Sequence, residues 1–432
     1  MDNKDLLKIL SIIILVIAIG LSPRFSVGHL ASGRSIDLRA EDFVLLFFGI
    51  FWLINIFKSG IRSVAKPPLF LPILAWLGLG LFSLVVNIFF DGLDAQKGFF
   101  FFLKGVEYFF LFFYVFYHIK NVDTAKFAID LWIIIGALHA NWIIMELLSG
   151  SKITYFYGPT TLIEPGGTSP GGGFLLLIFI FLFNILIYYY LNLPIPIFQK
   201  ILLSVVIISP VIGVISSGSR GIFAGLVAAM FASLFLAVSR KLFLRFLFLS
   251  LLALALVVVV FSFSQSLVLG RLFNVSEVKK NLDPSFEFSR PAIWKQQLND
   301  TLKPTTLLQS AFRFTFGRGK AVALNGIGES HNQYIRNFVE TGIIGSMVFL
   351  FLLYLIIKES LYIFFKSKDP FLIGVGAGLF SSTVVMMVIA LFAESFIVVK
   401  TNEPYWFFAA LTFALMNIYR SEDKSHNHEK AT

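Results

Sequence analysis

The chain has 432 residues, 57% of them hydrophobic and only 14% charged, with 52 phenylalanines and a mean hydropathy of +0.84. Soluble domains carry about a quarter charged residues, so a water-soluble globular protein is excluded and a polytopic membrane protein is indicated. The net charge of +10 reads as an orientation signal rather than an affinity for nucleic acid, and the absence of cysteine excludes disulfides, thiolate metal sites and cysteine nucleophiles.

Apolar runs of bilayer length, roughly 17–25 residues, occur about twelve times. They lie near 6–22, 43–57, 69–90, 99–118, 127–149, 172–191, 197–216, 221–239, 242–263, 336–357, 371–393 and 404–419. Lys4 and Lys8 precede the first as in a signal peptide, but no convincing small-x-small cleavage site follows, so a retained helix is expected. With a cytoplasmic N-terminus, the inside segments hold seventeen Lys and Arg against seven in the short outside loops. That bias puts both termini in the cytoplasm. The expected fold is an all-α polytopic membrane helix bundle. Nine transmembrane helices occupy 1–263, a large, mostly helical outer loop 264–335, three more helices 336–419, and a polar, disordered cytoplasmic tail 420–432.

Four places concentrate polar chemistry. The first is the tight turn Ser216-Ser217-Gly218-Ser219-Arg220-Gly221. Arg220 has no topogenic task on the outer face, and an arginine at a helix N-terminus suits phosphate oxygens. The competing reading is an arginine snorkelling to headgroups. The second is a helix starting at Ser289 as N-cap, with Pro291 in its first turn, carrying Arg290 and Trp294. Its apolar residues Ile293, Trp294, Leu298 and Leu302 predict a helix lying on the membrane interface, and Lys303-Pro304 ends it. The third is the glycine-rich pair Gly317-Arg318-Gly319-Lys320 and Asn325-Gly326-Ile327-Gly328, where glycine allows close backbone approach to a ligand. Neither string has the spacing of a Walker loop.

The fourth is His331 to Gly345. Asn332, Arg336 and Glu340 recur at helical spacing and form one stripe, with His331 and Tyr334 beside it at the mouth. Gly342 and Gly345 offer a flat patch for another helix. The plain alternative is a helix start at an interface with an ordinary boundary histidine. From Arg271 to Arg336 ten Lys and Arg face five acids. This excess lies on the side where the positive-inside rule does not ask for it, which weighs towards an anionic ligand.

Together these residues resemble the O-antigen ligase and O-antigen polymerase superfamily of bacterial envelope glycosyltransferases. The resemblance rests on Ser219-Arg220-Gly221 opening a span, on Ser289-Arg290 with Trp294, and on the glycine-rich approach to His331-Asn332 running on through Glu340-Thr341-Gly342. It covers roughly 197–360, and it does not extend to the segment from Tyr157 to Gly173. The resemblance implies a catalytic role for His331 and pyrophosphate binding by Arg220 and Arg290. Arg318, Arg336, Asn332 and Tyr334 are further candidates for binding pyrophosphate or glycan. It also implies an undecaprenyl-pyrophosphate-linked glycan as donor, a glycan or lipid-core acceptor, contact with membrane lipid and with other proteins of polysaccharide assembly, and the bacterial cytoplasmic (inner) membrane as location. No cofactor or metal is expected: the first outer loop has Asp37, Glu41 and Asp42 without the Asp-x-Asp spacing of metal-dependent membrane glycosyltransferases. The competing classes are a flippase for lipid-linked oligosaccharide, expected to show repeated halves and charges buried in several spans, and a receptor or scaffold for anionic lipid.

Overall fold

The computed structural model describes residues 3–21, 24–29, 35–59, 67–149, 169–262, 289–302, 306–320, 322 and 330–429. Helices form at all twelve expected places. They are α1 (Asn3–Leu21), α2 (Ala40–Ser59), α3 (Phe70–Phe90), α4 (Ala95–His118), α5 (Val122–Ser149), α6 (Ser169–Tyr188), α7 (Ile197–Ile208) with α8 (Pro210–Ser216), α9 (Arg220–Ser239), α10 (Phe243–Ser262), α13 (Gln333–Lys366), α14 (Pro370–Ile389) and α15 (Val399–Glu429). Between α10 and α13 lie α11 (Arg290–Leu302) and α12 (Leu307–Phe316). Among the described residues, nine candidate spans are long and apolar enough to cross a membrane, with α7 and α8 counted as one interrupted at Pro210. Apolar side chains all round these helices satisfy both lipid and core, while the backbone satisfies itself.

The core is built on α6, where every side chain from Phe174 to Tyr188 is buried. It packs against α8, α9, α14 and α15. Helix α14 approaches closely because Gly374 and Gly378 face it: a Cβ on either would lie 2.9 Å from α6 backbone atoms, at Ile185 Cα and Phe181 O. Such small-residue seams bring membrane helices together where burial from water gives no net drive. The outward faces carry Leu71, Leu74, Phe231, Phe235, Leu244 and Leu251, all exposed, as lipid-facing surfaces should.

Four details depart from the sequence reading. A two-stranded antiparallel hairpin, β1 (Arg24–His29) and β2 (Ser35–Arg39), lies in the first expected outer loop, where no strand was expected. The tail is helical to Glu429 rather than disordered; a free-standing polar segment pays for its own nucleation, whereas α15 needs only to propagate. Helix α11 has the predicted bounds, but its buried face is Ile293, Gln297 and Thr301, and Leu302 is exposed. It leans on the protein. The apolar surface beside the bundle belongs instead to α12, with Leu307 89% and Leu308 82% exposed. Helix α12 is capped by Thr306 Oγ1, which accepts from Gln309 N at 3.2 Å.

Helix α13 breaks at Gly342, which has φ +67°. Two carbonyls of the preceding turn accept bonds from outside the helix: Arg318 N donates to Val339 O at 2.8 Å and Gly319 N to Glu340 O at 3.0 Å. Gly317, at φ +79°, packs on the Glu340–Thr341 backbone, and Gly342 on Thr315 and Phe316; a Cβ at either would overlap main chain. The glycine string thus docks backbone on backbone and locks α12 to α13. Asn87 of α3 adds a bond from Nδ2 to Gly317 O at 3.2 Å. Asn325 to Gly328, and most of the 150–173 segment, lie outside the described residues.

Candidate functional site

The turn 390–398 after α14 is a hub for three of the four polar places. Asn332 Nδ2 donates to Leu391 O at 3.3 Å, and Gln333 N to Ala390 O at 2.8 Å. Ser330 Oγ donates to Glu394 Oε1 at 2.6 Å. On another side, Gly221 faces the same turn, where an added Cβ would come 2.9 Å from Phe392 Cβ. That glycine lets the N-terminus of α9, and so Arg220, sit against the turn. Helix α11 joins through Trp294, whose Nε1 donates to Ser330 O at 2.6 Å. Segments far apart in sequence therefore bring Arg220, Arg290 and His331 to one end of the bundle.

Arg290 lies in the first turn of α11 and is half-buried. Burial, and secondly the neighbouring Arg220 cation, lower its pKa from the ordinary arginine value. No carboxylate of the described residues pairs with it. Two arginines held close in partial burial repel each other, and an anion between them offsets that cost. Ser289 just before it is buried, with its hydroxyl lacking a hydrogen-bond partner among the described residues; its carbonyl accepts from Ile293 N at 3.0 Å. Ser289 thus holds the predicted N-cap place, but its hydroxyl does not cap. Arg220 opens α9, and Ser219 makes no side-chain cap bond there, which leaves the positive end of the helix dipole towards Arg220.

His331 is exposed and sits at φ +47°, a left-handed conformation that a non-glycine residue holds only when its surroundings impose it. The next residue imposes it: Asn332 caps α13, its Oδ1 accepting from Tyr334 N at 3.0 Å and Ile335 N at 3.1 Å. The imidazole is thereby left at the mouth of the helix, making no side-chain bond to the described residues.

The other predicted residues are placed differently. Arg336 is 1% exposed. Its Nε bonds Glu340 Oε1 at 2.9 Å, and its Nη1 bonds Glu394. Lys320 Nζ lies 3.3 Å from Glu340 Oε2 and 4.6 Å from the Trp76 ring centroid. Arg336 and Glu340 share a face as predicted, but as members of a buried ion-pair network that ties α13 to the 390–398 turn. Asn332 is engaged as the cap, and Tyr334 Oη donates to Met387 O at 2.9 Å. Arg318 stands apart. Its pKa is lowered by burial first and by Arg313 next, against the pull of Asp91 and Asp300. Arg313 itself holds Asp91 with Nε–Oδ2 3.1 Å and Nη2–Oδ1 2.7 Å, and its Nη1 reaches Asp300 O at 3.4 Å. Asp300 is about 15 Å along α11 from Arg290, at 1.5 Å per residue, so Arg318 belongs to the far end of that helix.

Sequence reasoning missed Glu394 and Lys320 as the network's other poles. The signal was present in an acid inside Leu391-Phe392-Ala393-Glu394-Ser395-Phe396, since ionisable groups at membrane depth need partners. Glu41, Asp42 and Glu403 also gather, with one oxygen of each within 4.8 Å of the others. Glu403 lies just before the last expected span, so only the fold brings it to the acids at the start of α2. No protein-family model matches the chain, and no curated protein sequence matches it either.

Proposed function

We propose that the chain is a glycosyltransferase of the bacterial cytoplasmic membrane. It transfers or polymerises a glycan from undecaprenyl pyrophosphate onto a sugar hydroxyl at the outer face, with both termini in the cytoplasm. One observation carries this reading. Arg220 and Arg290, 70 positions apart in the sequence, are neighbours with no acid of the described residues paired to Arg290, and an exposed histidine lies at the same end of the bundle.

The chemistry follows from the residues. The acceptor hydroxyl oxygen attacks the anomeric carbon while the bond from that carbon to the pyrophosphate oxygen breaks. His331 takes or orients the hydroxyl proton, a task suited to an imidazole, whose ring nitrogens can both accept and donate. Arg220 and Arg290 receive the charge developing on the departing pyrophosphate with planar forks that match phosphate oxygens. Arg336, Asn332 and Tyr334 support the site from beneath, and Arg318 is left out of it. The lipid tail stays in the bilayer and reaches the arginines laterally, because leaving the bilayer would expose its hydrocarbon to water.

The flippase reading has one observation in its favour: Arg336 and Glu340 within an expected span, and Glu403 just before another, are ionisable and buried. Purified protein in vesicles, given a lipid-linked donor and an acceptor on the same side, separates the two. Glycosylated acceptor with released undecaprenyl pyrophosphate supports transfer. Donor that crosses the bilayer unchanged, with no product, supports the flippase.

A further inference from the structure

A second charged cluster is built from the first turn of α2, the middle of α4 and the first turns of α15. Lys104 Nζ bonds Asp42 Oδ1 at 2.6 Å and Glu107 Oε2 at 2.9 Å. Asp42 Oδ2 accepts from Arg39 N at 2.9 Å. Arg39 Nη1 lies 3.6 Å from Glu41 Oε1. Lys400 Nζ donates to Ile19 O at 2.8 Å, and no carboxylate lies within ion-pair distance of it among the described residues. Glu41 and Glu403 are both 0% exposed. Neither carboxylate oxygen of Glu403 has a hydrogen-bond partner in the described structure, and one of them lies within 4.8 Å of an oxygen of Glu41 and of one of Asp42.

Burying an unpaired carboxylate beside two others is costly unless a positive charge joins them. Among the described residues Arg39, Lys104 and Lys400 stand near Glu41, Asp42, Glu107 and Glu403, and none of these bonds Glu403. Three carboxylates that each turn an oxygen towards the others are the donor set of a hard cation such as calcium or magnesium.

We propose that Glu41, Asp42 and Glu403 form a binding site for one hard cation. The ion ties the start of α2 to the start of α15. Because α15 follows directly on the 390–398 turn, the ion also steadies the wall behind Arg336. It takes no part in glycosyl transfer, so its test is independent of the proposed function.

The full-length protein, purified in detergent and freed of cations by chelation, is titrated with Ca²⁺, Mg²⁺, Mn²⁺ and Na⁺ while its melting temperature and binding heat are followed. The expected result is a saturable rise in melting temperature with a divalent cation. Glu403→Gln and Glu41→Gln, each removing one charge at constant shape, should weaken the response about tenfold or more. Glu403→Gln should also melt higher than wild type in cation-free buffer, since the repulsion is relieved. A response to Na⁺ alone would keep the site but make the ion monovalent. The proposal is overturned if no ion shifts the wild-type transition, or if both variants respond as wild type does. An infrared carbonyl band of a protonated acid, present in wild type with saturating Ca²⁺ and lost in Glu403→Gln, also overturns it: a proton then balances the charge.

Discussion

Arg336→Met tests whether this arginine holds the fold or the substrate. Methionine replaces the guanidinium with a flexible apolar chain, and it leaves Glu394 with Ser330 Oγ as its remaining side-chain bond. Glu340 keeps Lys320 at 3.3 Å. Removing one member of a buried ion pair costs about 3–5 kcal/mol, because the partner charge stays buried. That is roughly a 10²- to 5 × 10³-fold fall in the folding equilibrium constant. Heat inactivation of purified wild type, Arg336→Met, Glu394→Gln and the double variant measures it. Each single change should lower the midpoint sharply. The double variant should lose less than the sum, since two neutralised partners no longer strand one another. The reasoning fails if Arg336→Met melts like wild type and loses only transfer, for the arginine would then face substrate.

Arg220→Lys and Arg290→Lys keep the charge and lose the fork; each should insert normally but weaken undecaprenyl pyrophosphate binding about tenfold, measured by equilibrium binding, and wild-type affinity in both would mean these arginines contact only headgroups. Gly317→Ala and Gly342→Ala, at positive φ and against main chain, should destabilise by about 1–3 kcal/mol or more, whereas Gly78→Ala and Gly105→Ala, where nothing lies within 4 Å, should melt within a degree or so of wild type; equal melting of all four would remove the docking account of the α13 break. Topology reporters after Lys280 and after Lys366 should read outside and inside respectively, and the reverse pair would place the arginines on the wrong side for a donor used at the outer face.

The spans were legible because a membrane helix announces itself in one variable, the length of its apolar run, and every expected run is helical. The α13 stripe was legible for the same local reason: Asn332, Arg336 and Glu340 share a face whatever surrounds them. Their partners were not. Whether Arg336 meets a phosphate or Glu394 depends on a turn 58 residues later, and no local pattern carries that. Arg220, Arg290 and Arg318 were all candidates in the sequence, each expected on the outer side beside glycine or a helix start. The length of α11 sorts them, with Arg290 at one end and Asp300, Arg313 and Arg318 at the other. The interfacial helix was sought at Ser289 because of Trp294, but that indole serves as a donor to Ser330, and the exposed leucines are at Leu307 and Leu308.

The most direct test of the account is single-turnover transfer by purified His331→Ala protein, with donor binding measured in parallel. A positioned base contributes about 10²–10⁴-fold. The account predicts a rate lower by that factor with undecaprenyl pyrophosphate bound as tightly as by wild type. His331→Gln, which can hydrogen-bond but cannot take up a proton near neutral pH, distinguishes proton transfer from orientation by remaining slow or recovering. Transfer by His331→Ala at the wild-type rate would contradict the account and leave His331 as a boundary residue held at positive φ by the cap that follows it.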